Sequence, residues 1–156
     1  MTGEIDRRAI LLARAVVVLF RDFELVAREA EITVPQYRFL LFLKRGPKRA
    51  GELAFEAAIG KPTASALIVE MEKRGLITRE ADPDDARSIR LRLTDLGLDR
   101  HAAFETALAR HLQGVLSGGD ADRILEATTE LAYLIDAMRD RASVESVGNL
   151  IGDERD

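Results

Sequence analysis

Residues 82–97 read DPDDARSIRLRLTDLG: Asp82, Asp84 and Asp85 crowd against Arg87, and Ile89, Leu91 and Leu93 then alternate with Arg90 and Arg92. These residue types at this spacing can do electrostatic chemistry. A guanidinium presents five N–H donors in a planar fork that suits phosphates and base edges, and a carboxylate two residues away can pair with it and limit its orientations. Asp85 is therefore read as orienting Arg87, a donor set aimed at a DNA groove or a phosphate, with Arg90 and Arg92 outward on the strand and able to reach phosphates. For the isolated stretch the competing reading is an ordinary surface salt bridge in a tight turn, worth about 0 to 1 kcal/mol.

Other chemistries find little support. The chain has no Cys, which removes disulfides, thiolate metal sites and thiol redox sensing. Its two histidines, His101 and His111, do not form an i, i+4 pair. His101 and Glu105 have that spacing, but two ligands make a poor site, so no metal and no cofactor are expected. There is no phosphate loop, no nucleophile beside a histidine and no carboxylate set distinct from helix-surface charge, and the chain is read as a non-enzyme.

The overall net charge of −4 argues against a nucleic-acid partner until it is divided along the chain. Residues 44–92 carry 11 Lys and Arg against 8 Asp and Glu, while the remainder carries 12 against 19. The asymmetry points at the middle of the chain. The longest apolar run, Ala9 to Phe20, is interrupted by Arg14 and is too short to span a bilayer, and no signal-peptide pattern is present. A cytoplasmic location is the expectation.

The elements that must position these residues follow from punctuation and periodicity. A first helix, 4–30, is apolar almost all round between Ala9 and Phe20 and must be buried on more than one side, which suits packing against another subunit. Pro35 opens a second helix to Lys44, with Phe39, Leu40, Phe42 and Leu43 inward, and Gly46-Pro47 stops it. A short helix, Ala50 to Ala58, then a tight turn at Ile59-Gly60-Lys61, precedes a helix opened by Pro62, with Ala64, Leu67, Ile68 and Met71 as its buried stripe. Lys61, Thr63, Ser65 and Ala66 are left outside, as in a helix-turn-helix. Residues 76–80 and 88–93 form a β-hairpin, so that 82–87 is its bend. Thr94 caps a long helix to about Leu116, and residues 120–141 form the last, with Ile124, Leu125, Leu131, Ile135 and Met138 inward. The tail, 142–156, with Val144, Val147 and Leu150, is either a short docking helix or frayed and disordered.

A helix-turn-helix followed by a hairpin is a winged helix. At this point the run ELAFEAAIGKPTASALIVEMEKRGLITRE followed by DPDDARSIRLRLTDLG resembles the multiple-antibiotic-resistance regulator (MarR) family, most specifically in Leu76 after Lys73-Arg74-Gly75, the Asp85-Ala86-Arg87 triplet, and Leu93-Thr94 with Gly97. The resemblance implies a mainly α fold with a small β-hairpin: a winged helix-turn-helix lobe at 34–97, flanked by long N- and C-terminal dimerisation helices at 4–30 and 94–141, within one domain. It implies a homodimeric repressor on a palindromic operator in double-stranded DNA, with Lys61, Pro62, Thr63, Ser65 and Ala66 in the major groove, Arg87, Arg90 and Arg92 on the wing, and release by a small aromatic or anionic ligand. Phe20, Phe23, Tyr37, Arg38 and Phe42 are the candidate ligand pocket, with aromatic core filling as the alternative for each. Glu70 suits a phosphate-rich groove poorly, while the run from Lys44 to Arg49 either adds phosphate contacts or is a solvated loop. The competing function is a winged-helix protein-interaction module, an anti-repressor or adaptor.

Overall fold

Local hydrogen bonding sets where the helices begin. The computed structural model describes the backbone of residues 5–152 and the side chains of all of these except Ala86 and 139–152. The first helix, α1 (Arg7–Glu29), starts where the Asp6 carboxylate accepts from the Arg8 backbone N–H. Thr33 caps α2 (Val34–Lys44) in a reciprocal capping box with Gln36, and Pro35 stands in the first turn, where its missing N–H loses no partner. After α3 (Ala50–Glu56), α4 (Lys61–Lys73) opens at Gly60 with Pro62 again in the first turn. β1 (Ile77–Asp82) and β2 (Asp85–Leu93) pair antiparallel, followed by α5 (Asp95–Leu116) and α6 (Ala121–Gly152). The expected class, mainly helical with one small hairpin, is what the chain forms.

Three helices end alike. Ile32, Ile59 and Leu76 each donate their N–H to the carbonyl five residues back, on Ala27, Ala54 and Met71. The residue before each is left-handed: Glu31 at φ 56, Ala58 at φ 52 and Gly75 at φ 70. This wrap satisfies the last carbonyls of a helix. The turn between α3 and α4 thus departs from expectation, because Ala58 takes the left-handed conformation while Gly60, at φ −65, is ordinary backbone.

The hairpin is longer than the sequence pattern predicts. Its ladder runs from Ile77 opposite Leu93 to Ala81 opposite Ile89, and a bulge then sets Asp82 opposite Asp85. Most of the acid-rich bend is therefore strand, and the turn shrinks to Pro83-Asp84. Lys48 exchanges both backbone hydrogen bonds with Leu91, at 3.1 and 2.8 Å, so the segment leaving α2 adds a rung on the far side of β2. Leu91 and Leu93 are buried as expected, but Ile89 is half exposed.

The chain divides into two compact units, one up to His111 and one from Leu112. Among the described residues, every buried apolar side chain lies between Val26 and Phe104. Phe39, Leu40, Leu53, Met71, Leu76 and Phe104 form the centre of that core, each at most 1% exposed. The apolar side chains of the first half of α1, including Ile10, Val16 and Val17, are exposed in the single chain. On α6, Ile124, Leu125, Ile135 and Met138, expected inward, are 43 to 67% exposed, and Leu131 is partly so. The helix α6 continues to Gly152, past the Arg141 at which the pattern places its end, so the backbone of 142–152 belongs to α6 rather than to a separate docking helix. Residues 153–156, and the side chains of Val144, Val147 and Leu150, lie outside the described residues.

Thr94 joins the end of α4 to the start of α5. Its hydroxyl donates to the Gly75 carbonyl at 2.6 Å and accepts from the Gly97 N–H at 3.0 Å, while its own N–H donates to the Leu76 carbonyl. The approach is so close that a Cβ on Gly97 would stand 2.1 Å from the Leu76 carbonyl oxygen. Gly97→Ala should therefore lower the melting temperature, by the equivalent of about 1–3 kcal/mol or more, as overpacking does. Gly114→Ala, in open space on the same helix, should be neutral or stabilising by up to about 1 kcal/mol. Thermal melts of the two variants followed by circular dichroism make the comparison; equal midpoints would show that the contact yields freely.

Candidate nucleic-acid interface

The helix α4 divides its residues as a recognition helix must. Ala64, Ile68 and Met71 enter the core, while Lys61, Pro62, Thr63, Ser65 and Ala66 are exposed. That leaves an ammonium, two hydroxyls and a methyl on one accessible surface, the groups that read phosphates, base edges and thymine methyls. Glu70 is not a loose carboxylate on that helix, because its Oε1 accepts from the Gln36 side-chain amide at 2.9 Å.

The hairpin is organised around a residue that sequence reasoning passes over. The Asp82 carboxylate is completely buried. Its Oδ2 accepts from Arg49 Nε at 2.9 Å and Nη2 at 2.7 Å, and its Oδ1 accepts from the Asp84 backbone N–H at 3.1 Å and meets Arg90 Nη2 at 2.8 Å. Burial alone would push this carboxyl up; the donors of Arg49, the Asp84 backbone and Arg90 outweigh it and hold the group below the usual carboxylate range. A signal was present: an Asp directly before Pro83 and two residues before Asp84 is placed for a turn in which its side chain accepts the second N–H onward. Nothing local marks Arg49, 33 residues away, as its partner.

This arrangement changes the role of two residues. Arg90 was expected to reach outward for phosphates, but it is largely covered and bound to Asp82 and to Asp84 at 2.9 Å. Asp85 was expected to grip the Arg87 guanidinium. Instead its Oδ1 accepts from the Arg87 backbone N–H at 3.1 Å and its Oδ2 accepts from the Ser88 hydroxyl at 2.6 Å. The Ser88 bond, then the Arg87 bond, holds the Asp85 pKa low. Asp85 therefore fixes the backbone that carries Arg87 and leaves the side chain alone. Arg87 is exposed, and among the described residues its guanidinium has no ion-pair partner. Arg92 is also exposed, with Glu80 at 3.7 Å.

Other cations near this surface are held internally. Lys48 pairs with Glu56 at 2.5 Å, Arg49 with Asp82, and Arg79 with Glu72 at 2.7 and 2.8 Å. The run from Lys44 to Arg49 is thus partly ladder and ion pair rather than a solvated loop. Between α4 and the hairpin lies a cavity of about 220 Å³ lined by Ser65, Val69, Arg79 and Ile89 among others.

The five candidate pocket residues have different fates. Phe42 is in the core, Phe20 is exposed, and Phe23, Tyr37 and Arg38 are partly buried. Tyr37 stacks on His101 with centroids 5.3 Å apart, tilts against Phe104 at 4.4 Å, and donates its hydroxyl to Glu105 at 3.2 Å. Burial, with the charge and hydrogen bond of Glu105, pushes the Tyr37 phenol up to about 12. Burial likewise pushes the enclosed His101 imidazole down, which keeps it neutral, against the opposing pull of Glu105. Among the described residues no group of three His, Asp or Glu side chains is placed to hold a metal ion, and no helix is long and apolar enough to cross a membrane.

The family model described as the MarR family matches residues 30–88, which span α2 to the start of β2 and hold both the α4 surface and Arg87. The HTH-type transcriptional regulator FarR of Neisseria gonorrhoeae is 27% identical over 139 residues, covering 81% of this chain and 90% of FarR. Among solved structures, the transcriptional repressor CouR bound to a 23-mer DNA duplex is 30% identical at a TM-score of 0.67, covering 80% of this chain and 89% of CouR. NadR in complex with 4-hydroxyphenylacetate shares the fold at 24% identity and a TM-score of 0.65, over 86% of this chain and 96% of NadR. The matched residues include the recognition-type helix and the tethered arginine, and the likeness to CouR extends through most of both chains. The chain therefore belongs to the MarR family of transcriptional regulators, which are not enzymes.

Proposed function

We propose that this chain is a homodimeric repressor that binds a palindromic operator, with α4 in the major groove and Arg87 in the adjacent groove or on its phosphates, and that a small aromatic or anionic compound releases it. The observation that carries the reading is Arg87: in a lobe where neighbouring cations are committed to carboxylates, its backbone is pinned and its guanidinium is left exposed. A charge held at a fixed place and left unneutralised suits an anionic partner. Lys61 and the hydroxyls of Thr63 and Ser65 are exposed in the same lobe, and CouR, the 30% identical relative, is seen on a DNA duplex.

Dimerisation rests on the uncovered apolar residues of α1 and α6, which a water-exposed single chain would leave at a cost of about 25 cal/mol for each Å². Release by an aromatic or anionic compound rests on the Tyr37, His101 and Phe104 stack, on the partly buried Arg38 next to Tyr37 and Phe23 on α1, and on NadR being found with 4-hydroxyphenylacetate.

Arg87→Ala tests the wing. Folding and dimerisation should be unchanged, operator binding should weaken, and if the contact is to phosphate the slope of log K against log salt should fall by about one per wing. Unaltered affinity and slope would make the hairpin tip irrelevant to DNA and would favour the protein-interaction alternative. Sedimentation at micromolar concentration should give twice the chain mass; a folded monomer removes the basis for a palindromic site. In a panel of aromatic acids, at least one should raise the melting temperature and weaken DNA binding by roughly 5- to 150-fold, the usual range of such coupling. If none changes either quantity, the chain is a repressor without an effector of this class.

A further inference from the structure

Apolar packing sets helix crossing angles only as tendencies, with scatter of about 15–20°, and directional bonds can narrow them. The core face of α4 is made of Ala64, Ile68 and Met71, which carry no hydrogen-bonding group. Directional bonds to the end of α4 come from a chain of hydrogen bonds with Gln36 at its middle. This residue is fully buried, on the first turn of α2. Its Oε1 accepts from the Thr33 backbone N–H at 3.0 Å and from Arg74 Nη1 at 2.9 Å, and its Nε2 donates to Glu70 Oε1 at 2.9 Å. The amide orientation is forced by these partners, since the Thr33 N–H and the guanidinium can only donate and the carboxylate can only accept.

Glu70 and Arg74 stand four residues apart at the C-terminal end of α4. Arg74 reaches further, donating from Nη2 to the Glu31 carbonyl at the corner between α1 and α2. Glu31 is held in the left-handed region, at φ 56, and its carboxylate pairs with Arg100 on α5. One buried amide thus connects the end of α4 to α2 and, through Arg74 and Glu31, to α1 and α5. Networks of this kind hold best when every member is satisfied, and lose their specificity when one is removed.

We propose that Gln36 is a positioning residue for DNA recognition: through Glu70 and Arg74 it sets the pitch of α4 against the corner of α1 and α2, and so the orientation in which each half of the dimer presents Thr63 and Ser65 to its half-site. The inference rests on the DNA-binding reading above. It also accounts for Glu70, a carboxylate on the helix that must approach phosphates. Charge repulsion makes Glu70 a liability for any DNA, whereas the Gln36 bond makes it necessary for the right DNA.

The test uses the full-length dimer and two probes: the duplex that the unaltered protein selects from a randomised library, and a duplex of scrambled sequence at the same salt. Half-site spacing is varied by one base pair in the selected duplex. Glu70→Ala and Gln36→Met should lose about tenfold or more of the ratio between selected and scrambled affinity, the scale of one hydrogen bond to a charged group. Both should also flatten the preference for one spacing while binding scrambled DNA at least as well as before. Glu70→Gln, whose amide oxygen can still accept from Gln36, should keep the ratio and the spacing preference. Glu70 is exposed, so Glu70→Ala gives an answer even if Gln36→Met fails to fold. The inference is overturned if Glu70→Ala tightens both probes equally and leaves the spacing preference intact, as simple repulsion requires. An unaltered protein that selects no duplex overturns the DNA-binding reading itself, and this inference with it.

Discussion

The buried carboxylate of Asp82 is the constraint on which the outer edge of the lobe depends. A charge taken out of water is tolerated only where several donors converge on it, and here they come from three places: Arg49 beside the start of α3, Arg90 on β2, and the Asp84 N–H in the turn. A two-stranded hairpin alone is marginal in water. Tied through Asp82 to the helix-turn-helix and through Lys48 to the segment after α2, this one has a fixed place relative to α4. The same carboxylate decides which arginines remain available, because it takes Arg49 and Arg90 and leaves Arg87 beyond its reach.

This division reconciles an acidic chain with an anionic partner. The small excess of Lys and Arg between residues 44 and 92 counts for little when Lys48, Arg49, Arg79 and Arg90 are neutralised where they stand. What matters for recognition is the geometry of the few groups left over, and each of those is on a rigid support. Arg87 is carried by a backbone that Asp85 holds, and Thr63 and Ser65 by a helix whose far end is bonded to Gln36. Phosphate contacts set register and base contacts carry sequence, so both depend on these supports more than on total charge.

Local rules made much of this legible in the sequence. Pro35, Pro62 and Thr94 announce helix starts by their own chemistry, and Phe39, Leu40, Ile68 and Met71 announce the core by spacing. The departures have two causes: bonds to distant partners, and local bonds within the hairpin that spacing alone does not rank. Asp85 and Arg87 are close enough in sequence to suggest a side-chain pair, yet the carboxylate is better placed for the Arg87 N–H and the Ser88 hydroxyl of its own turn. Arg90 alternates as an outward residue, but Asp82 and Asp84 of the same hairpin hold its guanidinium, and only Arg49, which shares the Asp82 carboxylate, comes from a distant part of the chain. Gln36 goes unmarked, because its bonds to Glu70 and Arg74 span 34 and 38 residues. Ala58 illustrates a subtler limit: the wrap at the end of α3 needs a left-handed residue, and the nearby glycine drew attention to the wrong position.

Burial is distributed unevenly along the chain. The core between Val26 and Phe104 is complete in one chain, down to a glutamine whose amide oxygen and nitrogen are both bonded. The first half of α1 and the whole described part of α6 add no buried apolar side chain to it, although they carry Val16, Val17, Leu125, Leu134 and Met138. The core of the lobe and the apolar residues that the single chain leaves uncovered thus occupy different parts of one short sequence, with only the C-terminal end of α1, at Val26 and Ala27, belonging to the core. The corner at Glu31 is where the two meet, since α1 ends there and Arg74 and Arg100 reach it from α4 and α5. A left-handed residue at that corner, bonded by two arginines, ties the end of α1 to the helix that carries Thr63 and Ser65.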